Sequence, residues 1–156
     1  MLKEKISDSL LSQIEPVITG LGYTLVDLNS KLLQYGMTIH CVVYKPSGVG
    51  IEDCSIIHKT IMPKLEIITD SRDIHLEVSS PGTDRNLKSN SEFLIFRGKG
   101  IRILTKDSSE WIMGIIDSAD KNGVTVLKNG ELHNISYTNV KKAKLDYSEE
   151  VNRNGF

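Results

Sequence analysis

Apolar residues recur every three or four positions at the start of the chain, and this period predicts an amphipathic helix over residues 3–20. Pro16 lies inside that stretch and lacks a backbone donor, so we expect a kink there. A second stripe predicts a helix that begins at Ile51, in which Pro63 favours a bend or an early end. The predicted buried stripes are Ile6, Leu10, Ile14, Val17 and Leu21 in the first helix, and Cys54, Ile57, Ile61, Leu65 and Ile68 in the second.

Alternation of apolar and polar residues replaces the helical period in three shorter stretches, residues 23–33, 37–44 and 74–79, and it predicts strands there. A turn around residues 34–36 joins the first two strands into a hairpin. The first half of the chain therefore has the order α-β-β-α-β. We predict an N-terminal α/β domain over residues 1–83, in which two helices cover one face of a small three-stranded sheet.

The pattern changes after the Pro81-Gly82 turn, and we predict a hinge at about residues 79–88. A short helix over residues 88–98 comes next, followed by strand-like runs that are separated by turn signals such as Asn129-Gly130. Five strands are predicted, at residues 99–106, 110–118, 123–128, 131–136 and 140–145. This order resembles the Sm-like version of the SH3-type barrel, so residues 84–156 are predicted to form a C-terminal Sm-like β-barrel domain, and the fold class is α+β.

Charge is nearly balanced over the whole chain, with a formal net charge of −1 and a sequence pI of about 6.4. Residues 1–83 carry seven Lys/Arg against ten Asp/Glu, and residues 84–156 carry twelve against ten. Neither half has the strongly basic composition of an autonomous nucleic-acid-binding protein. This balance leaves room for a basic protein as the partner.

The sequence indicates neither membrane insertion nor export. No apolar run approaches the roughly 18 residues that a spanning helix needs, and polar and acidic residues interrupt the apolar ones at the N-terminus. Cys41 and Cys54 are the only cysteines, so we expect reduced thiols and a cytoplasmic protein. Both lie in predicted apolar stripes and are interpreted as small core residues.

The sequence also predicts no reaction chemistry. Cys54 and His58 are spaced to face one metal ion on a helix, but four convergent ligands are not evident, so no metal site is predicted. Ser80 next to Pro81 lacks the pattern of a nucleophile turn, and no phosphate-binding or dinucleotide-binding glycine motif occurs. We therefore expect no catalytic residue and no cofactor, and the protein is not expected to be an enzyme.

Several short motifs, in order along residues 5–145, resemble those of the bacterial RimP family of ribosome maturation factors. The most informative is Leu76–Leu87, LEVSSPGTDRNL, which matches the family pattern LEVSSPG-x-DR-x-L. Asn86 is a departure, because the family usually has proline after the Asp-Arg pair, and this substitution is expected to loosen the hinge. The other matching segments are Ile14–Val17, Leu21–Asp27, Glu52–Ser55, Phe93–Gly98 and Lys142–Leu145.

The resemblance implies an assembly factor for the small (30S) ribosomal subunit that is not an enzyme. Its implied partners are the small-subunit ribosomal protein of the decoding centre, bound chiefly by the barrel domain, and the immature small subunit. We expect a monomer, with rRNA as a secondary contact. A near-neutral factor suits a basic ribosomal protein, because opposite potentials speed their encounter. The alternative is an autonomous Sm-like RNA-binding protein, although the barrel has few candidates for stacking on bases, namely Trp111, Tyr137 and Tyr147.

Two groups of residues are candidate sites. The first is the hinge motif, which comprises Ser79, Ser80, Pro81, Gly82, Asp84, Arg85 and Leu87. Asp84 and Arg85 are expected to fix the turn by local pairing in preference to binding a partner. The second group, the candidate partner-binding residues, comprises Asp107, Glu110, Trp111, Asp117, Asp120 and Glu131.

Each partner-binding candidate has a simpler alternative. The acids are weighed against a role in solubility alone, and Trp111 is weighed against a place in the barrel core, which is the favoured interpretation for it. Contact with rRNA phosphates would instead use basic residues of the second half, which are Arg97, Lys99, Arg102, Lys141, Lys142 and Lys144.

Overall fold

The computed structural model describes residues 2–148, with the side chains of residues 8–148. The chain divides into two compact units after Pro81, which we call the N-terminal unit and the C-terminal unit. The predicted boundary at 83/84 and the hinge at about residues 79–88 stay predictions, because the compactness of each unit does not report motion between them. No helix among residues 2–148 has the length and the apolar content needed to cross a membrane.

The N-terminal unit has the predicted order α-β-β-α-β. Its elements are α1 (Leu2–Gly20), β1 (Thr24–Leu33), β2 (Gly36–Tyr44), α2 (Ile51–Thr69) and β3 (Ile74–Ser79). The strand order is β1-β2-β3, with β1 antiparallel and β3 parallel to β2. A parallel pair needs a crossover connection, and α2 supplies it.

The helix α1 buries a slightly different stripe from the predicted one. Leu10, Ile14 and Ile18 are fully buried, whereas Leu21 is 37% exposed. Ile6 lies outside the described side chains. The buried positions of the helix are therefore four residues apart and end at Ile18, and Leu21 lies just beyond the last helical residue, Gly20.

The helix α2 begins at Ile51, as predicted, and Pro63 does not end it early, because it continues to Thr69. Cys54 and Ile68, at the two ends of the predicted stripe, are half-buried. The predicted positions that are fully buried are Ile57, Ile61 and Leu65. These three pack with the predicted apolar face of β2, which consists of Met37, Ile39, Cys41 and Val43.

The β1–β2 hairpin closes through a two-residue turn between Leu33 and Gly36, as the sequence predicts. Gly36 has a φ of 152° at this point, and a Cβ there would lie 2.3 Å from the carbonyl oxygen of Asp73. The next residue, Met37, donates its N–H to the same carbonyl at 2.9 Å. Only glycine allows the hairpin to approach the start of β3 this closely.

The C-terminal unit contains the predicted short helix and five strands. These are α3 (Ser91–Ile95), β4 (Gly100–Thr105), β5 (Trp111–Ala119), β6 (Gly123–Lys128), β7 (Glu131–Ser136) and β8 (Val140–Leu145), with a 3₁₀ turn at Tyr137–Asn139. All neighbours are antiparallel, in the order β7-β6-β5-β4-β8. The α+β fold class and the element order of both halves are confirmed. The buried apolar residues are Phe93, Phe96, Ile101, Ile103, Ile115, Ile116, Val124, Val126, Ile135, Ala143 and Leu145.

The antiparallel register decides which turns share an end of this five-stranded sheet. The loop at 106–110 and the Asn129-Gly130 turn lie at one end, which we call the β4–β5 end. The loop at 120–122 lies at the other, which we call the β5–β6 end. The 3₁₀ turn Tyr137–Asn139 links the two loops, because Tyr137 donates its N–H to the Asn122 carbonyl at 3.1 Å and Lys106 donates its N–H to the Asn139 carbonyl at 2.8 Å.

Candidate functional site

The Asp-Arg pair of the hinge motif consists of one largely buried side chain and one exposed side chain. Arg85 Nε donates to Glu92 Oε1 at 2.7 Å, and the two side chains retain only 10% and 2% of their exposure. Glu92, in α3, also accepts the backbone N–H groups of Lys88 at 2.8 Å and Ser89 at 3.0 Å. Its carboxylate therefore neutralises Arg85 and holds the backbone that leads into α3, whereas Asp84 is exposed.

A strand-like pairing attaches the same segment to β8. Leu145 donates its N–H to the Arg85 carbonyl, and Leu87 donates its N–H to the Ala143 carbonyl, both at 2.9 Å. The segment 85–87 is thereby fixed to the edge of the five-stranded sheet. This geometry supports the structural role expected for Arg85 and gives Leu87 a structural role as well.

Asn86 forms an isolated antiparallel bridge with Lys144, between those two hydrogen bonds. Two residues that face each other in this way without bonding to each other form a non-hydrogen-bonded pair, here called a wide pair. The backbone N–H and C=O of both residues in such a pair point away from the opposite strand. A proline at position 86 would therefore remove no hydrogen bond from the bridge. The attachment of the segment to β8 does not depend on the proline that the RimP-like motif usually has there.

The first part of the hinge motif belongs to the N-terminal unit. Ser79 ends β3, and its Oγ lies 2.8 Å from Nε2 of His40 on β2. Ser80 follows and is exposed. After Pro81, the Arg85 N–H donates to the Gly82 carbonyl at 3.1 Å and closes a turn within the C-terminal unit. Ser79 and Gly82 thus each contribute to the local structure of their own unit.

The six candidate partner-binding residues fall into two groups along β5. Asp107, Glu110, Trp111 and Glu131 lie at the β4–β5 end, and the other two, Asp117 and Asp120, lie towards the β5–β6 end. Asp107 and Asp120 nevertheless line neighbouring grooves that share Asn134, Ile135 and Ser136. One partner surface can therefore include acids from both groups.

The two acids towards the β5–β6 end have local roles. The Asp120 carboxylate accepts the N–H groups of Asn122 at 2.7 Å and Gly123 at 3.0 Å, and these bonds hold its pKa below the usual range. Asp117 lies at the bulge of β5, where its carbonyl accepts Arg97 Nε at 2.8 Å, and its side chain is exposed. The structural interpretation is favoured for Asp120, because its own turn uses the carboxylate.

At the β4–β5 end, Asp107 lines an open groove of about 420 Å³. One wall of the groove is β7 from Leu132 to Ser136, and the other includes Thr105, Asp107 and Asn139. The side chains of Thr105 and Asn139 hydrogen-bond to the Asp107 carboxylate, and these bonds hold its pKa below the usual range. Asp107 is therefore ionised at neutral pH and fixed in position at the wall. Glu131, at the start of β7, is 81% exposed at its side chain.

Trp111 is half-buried on the outer face of the sheet. The register pairs it with Leu104, and Leu104 with Lys142, so that these three side chains form one row on the same face. Met113, two residues further along β5, is 40% exposed, whereas Ile103, on the other face of β4, is fully buried. The core position favoured for Trp111 from the sequence is therefore corrected to an outer-face position.

Asp53 lies in the first turn of α2, where the helix dipole favours an acid, and it also has several specific partners. It accepts a hydrogen bond from the Tyr23 hydroxyl and another from the Gly50 N–H at 2.7 Å, and Lys45 Nζ lies 3.5 Å away. The bonds from Tyr23 and Gly50, with Lys45 nearby, keep the pKa of Asp53 below its usual range. Lys45 Nζ also lies 4.9 Å from the centre of the Tyr23 ring. Two of the family-like motifs, around Tyr23 and Asp53, thus meet in one structural cluster.

Glu92 is absent from the residues predicted from the sequence, but a signal for it exists. Ser89 and Glu92 have the spacing of a capping box, in which the acid reaches back to the backbone N–H three residues earlier. That bond is present. The pairing with Arg85, seven residues away, has no comparable local signal.

Both cysteine thiols are protonated at neutral pH. Burial raises the pKa of Cys41 to about 12, and burial together with the charge of Asp53 raises the pKa of Cys54. Cys54 is half-buried, which corrects its predicted core position. Neither thiol has the lowered pKa of a reactive cysteine. Within the described part of the chain, no three His, Cys, Asp or Glu side chains are placed to share a metal ion.

Comparison with known proteins gives the same family for both parts of the chain. A family model described as the RimP N-terminal domain matches residues 13–84. A protein from Borrelia recurrentis (strain A1) is 34% identical over 143 residues, which are 90% of this chain and 98% of that protein. A protein from Borrelia turicatae (strain 91E135) is 30% identical over 145 residues, 93% of this chain and 99% of that protein. Both relatives are named ribosome maturation factor RimP.

Proposed function

This chain belongs to the RimP family of ribosome maturation factors, and we propose that it acts in assembly of the small (30S) ribosomal subunit. In this proposal it catalyses no reaction. It binds a small-subunit ribosomal protein of the decoding centre and the immature subunit, and the C-terminal unit carries the protein contact. The chain acts as a cytoplasmic monomer.

The observation that carries the proposal is the extent of the likeness. It covers at least 90% of this chain and 98% of each relative, so it includes most of both units. A likeness confined to residues 13–84 would support only a shared module. Because the relatives are matched along almost their whole length, the proposed role involves both units and not only the N-terminal one.

Charge supports a basic protein as the partner. The chain has a net charge of −1 and is not an obvious binder of phosphate backbones. Asp107 and Glu131 provide fixed and exposed negative charge at the β4–β5 end. Complementary potentials of this kind speed encounter and set the register of a complex.

A ribosome profile tests the assembly role. We expect cells depleted of this protein to accumulate immature small subunits on a sucrose gradient, and we expect the wild-type chain to restore the profile. Alanine at Cys54, His58 or Ser80 should restore it equally well, because no catalytic role is proposed for these residues. An unchanged profile after depletion would count against the proposal.

Capture by the immobilised full chain tests the choice of partner. Individually purified small-subunit ribosomal proteins and deproteinised rRNA are presented separately, at several salt concentrations. We expect one ribosomal protein to be retained more strongly than rRNA. Retention of rRNA alone would contradict the protein-partner proposal.

One observation favours the alternative, an Sm-like RNA-binding function. The row Trp111–Leu104–Lys142 places an aromatic side chain and a cation on one face, an arrangement suited to stacking a base and pairing its phosphate. RNA binding through Lys142 should weaken steeply as salt rises, in proportion to the phosphates contacted. In that case Lys142→Gln should weaken rRNA retention, and Lys121→Gln, an exposed lysine at the β5–β6 end, should not.

A further inference from the structure

The two edges of the five-stranded sheet differ in what covers them. The edge of β8 is covered by the segment 85–87, through the hydrogen bonds that Arg85 and Leu87 form with it. The strand β7 pairs with β6 on one side. No strand in the described part of the chain pairs with its other side, which is therefore an open edge. An uncovered edge strand can accept an additional strand.

Alternate residues of β7 direct their backbone polar groups at this open edge. Tyr137 donates its N–H to the Asn122 carbonyl at 3.1 Å, which makes the neighbouring pair, Gly123 and Ser136, a wide pair. Wide and hydrogen-bonded pairs alternate along an antiparallel ladder, and residues in wide pairs point their N–H and C=O away from the partner strand. The residues that point these groups away from β6 are Leu132, Asn134 and Ser136.

The groove described above runs along this edge and has the dimensions of a strand. Its β7 wall extends from Leu132 to Ser136, roughly 15 Å, enough for about five extended residues. Ile112 and Ile135 contribute apolar lining. Leu132, at one end of this wall, is 60% exposed and offers an apolar contact to a partner.

We propose that β7 receives an extended segment of a basic protein, which adds a strand to the sheet. This inference rests on the proposed function, because it states how the ribosomal protein would be held. The backbone groups of Leu132, Asn134 and Ser136 supply the hydrogen bonds, as in other cases of strand addition. Asp107, fixed on the opposite wall, and Glu131, at the start of β7, select lysine or arginine side chains in the segment.

A second copy of this chain is disfavoured as the occupant. Of the edge strands that another copy offers, β8 is the one whose charge would suit the acids beside β7, because its sequence VKKAKL is basic. Its edge is already occupied by Arg85 and Leu87 of its own chain. Self-association through β7 and β8 would first have to break those two hydrogen bonds, whereas an extended segment of another protein would break none.

A proline substitution tests the backbone contact. Asn134→Pro removes an N–H that points at the open edge. It removes no hydrogen bond between β6 and β7, and proline is tolerated at such positions of edge strands. Asn134→Ala is the matched control, because both variants lose the hydrogen bond between Asn134 and Thr125 side chains. We expect Asn134→Pro to weaken capture of the purified ribosomal protein by about tenfold or more relative to Asn134→Ala. Equal binding by the two variants would overturn the inference.

Hydrogen exchange of the wild-type chain provides a second readout that needs no variant. On addition of the captured ribosomal protein, the amides of Leu132, Asn134 and Ser136 should slow, because they gain acceptors. Those of His133 and Ile135 already donate within the β6–β7 ladder and should change less. Unchanged exchange at the first three amides would overturn the inference even if Asn134→Pro failed to fold.

The remaining outcomes separate the inference from the proposed function. Capture that is insensitive to Asn134→Pro removes the inference and leaves the proposed function in place. Failure of the wild-type chain to retain any small-subunit ribosomal protein removes both. Protection of the three amides at high protein concentration without a partner, with a dimer in sedimentation, would identify a second copy as the occupant and contradict the inference.

Discussion

Asp53 in the N-terminal unit and Glu92 in the C-terminal unit each join the start of a helix to a side chain from another segment. Asp53 accepts a hydrogen bond from Tyr23 and lies near Lys45, and its side chain is 27% exposed. Glu92 accepts a hydrogen bond from Arg85, and its side chain is 2% exposed. Each acid lies in the first turn of its helix, Asp53 in α2 and Glu92 in α3, but the exposure of the two side chains differs sharply.

This contrast separates the residues that maintain the fold from those that are available for binding. Water can replace much of what Asp53 gains, because the cluster is partly solvated. Water reaches only 10% of the Arg85 side chain and 2% of the Glu92 side chain, so these charges depend much more on partners within the protein. Arg85 is therefore committed to the C-terminal unit, whereas Asp107 and Glu131 at the β4–β5 end are exposed to a partner.

Replacing Glu92 is expected to have the largest effect. Glu92→Gln keeps the shape but removes the carboxylate charge that faces the Arg85 guanidinium, at a contact where the two side chains are only 10% and 2% exposed. We expect this to cost about 3 kcal/mol of the free energy of unfolding. Trp111 is the only tryptophan and lies in β5, so its fluorescence during urea unfolding reports this unit. The control, Glu110→Gln, changes an exposed acid and should stay within about 0.5 kcal/mol of wild type. A similar stability for both variants would show that the buried pair contributes little.

Gly36→Ala applies a comparable test to the N-terminal unit. A Cβ at position 36 would meet the Asp73 carbonyl at 2.3 Å, so we expect a loss of about 1–3 kcal/mol. The helical circular dichroism signal, which comes mostly from α1 and α2, should report the loss. Gly20→Ala is the control, because nothing lies within 4 Å of a Cβ there. Coincident shifts of the Trp111 transition and the helical signal would show that the units unfold together and cannot be compared separately.

The sequence predicts the strands and helices well because their signals are local. The alternation in β2 and the Asn129-Gly130 turn each identify an element within a few residues. The position of Trp111 is different, because its face depends on how β4 and β5 pair. The bulge between Ile116 and Ser118 shifts the pattern further. Alternation in one strand cannot determine which of its faces becomes the core.

The candidate site is harder to predict, because it depends on contacts between distant residues. Asp107 and Asp120 are both acids in turns. The Asp120 carboxylate is bonded within its own turn, whereas Asp107 is held by Thr105 nearby and also by Asn139, more than thirty residues away. The covering of β8 by the segment 85–87 likewise joins parts of the chain that no local pattern connects. The open edge of β7 follows only from that comparison of edges.

Asn86→Pro should stabilise the C-terminal unit, because it stiffens the segment between Arg85 and Ser89 that Glu92 already holds. The Asn86 N–H points away from β8, so proline removes no bond there and restricts the unfolded chain. We expect a gain of about 0.5 kcal/mol in the Trp111 transition. Leu87→Pro is the matched control and should destabilise, because it removes the N–H that donates to Ala143. A loss of stability in Asn86→Pro would show that the backbone at 86 is incompatible with proline.

The smallest expected effect is the pH dependence of the Asp53 cluster. Hydrogen bonds from Tyr23 and Gly50 lower the pKa of Asp53, so its contribution is present above the unfolded value of about 3.9 and is lost as the pH falls through the lower folded value. The same bond raises the pKa of Tyr23, so that contribution is present below about 10 and is lost as the pH rises through the higher folded value. The difference in unfolding free energy between wild type and Asp53→Asn should therefore be flat from pH 5 to 9 and shrink beyond both limits.

The helical circular dichroism signal measures this difference. Tyr23→Phe is the control, because it should remove the loss of stability at alkaline pH and keep part of the loss at acid pH, since the Gly50 N–H still bonds to Asp53. A difference that stays flat below pH 4 would mean that Asp53, like a fully solvated acid, gains nothing from its partners.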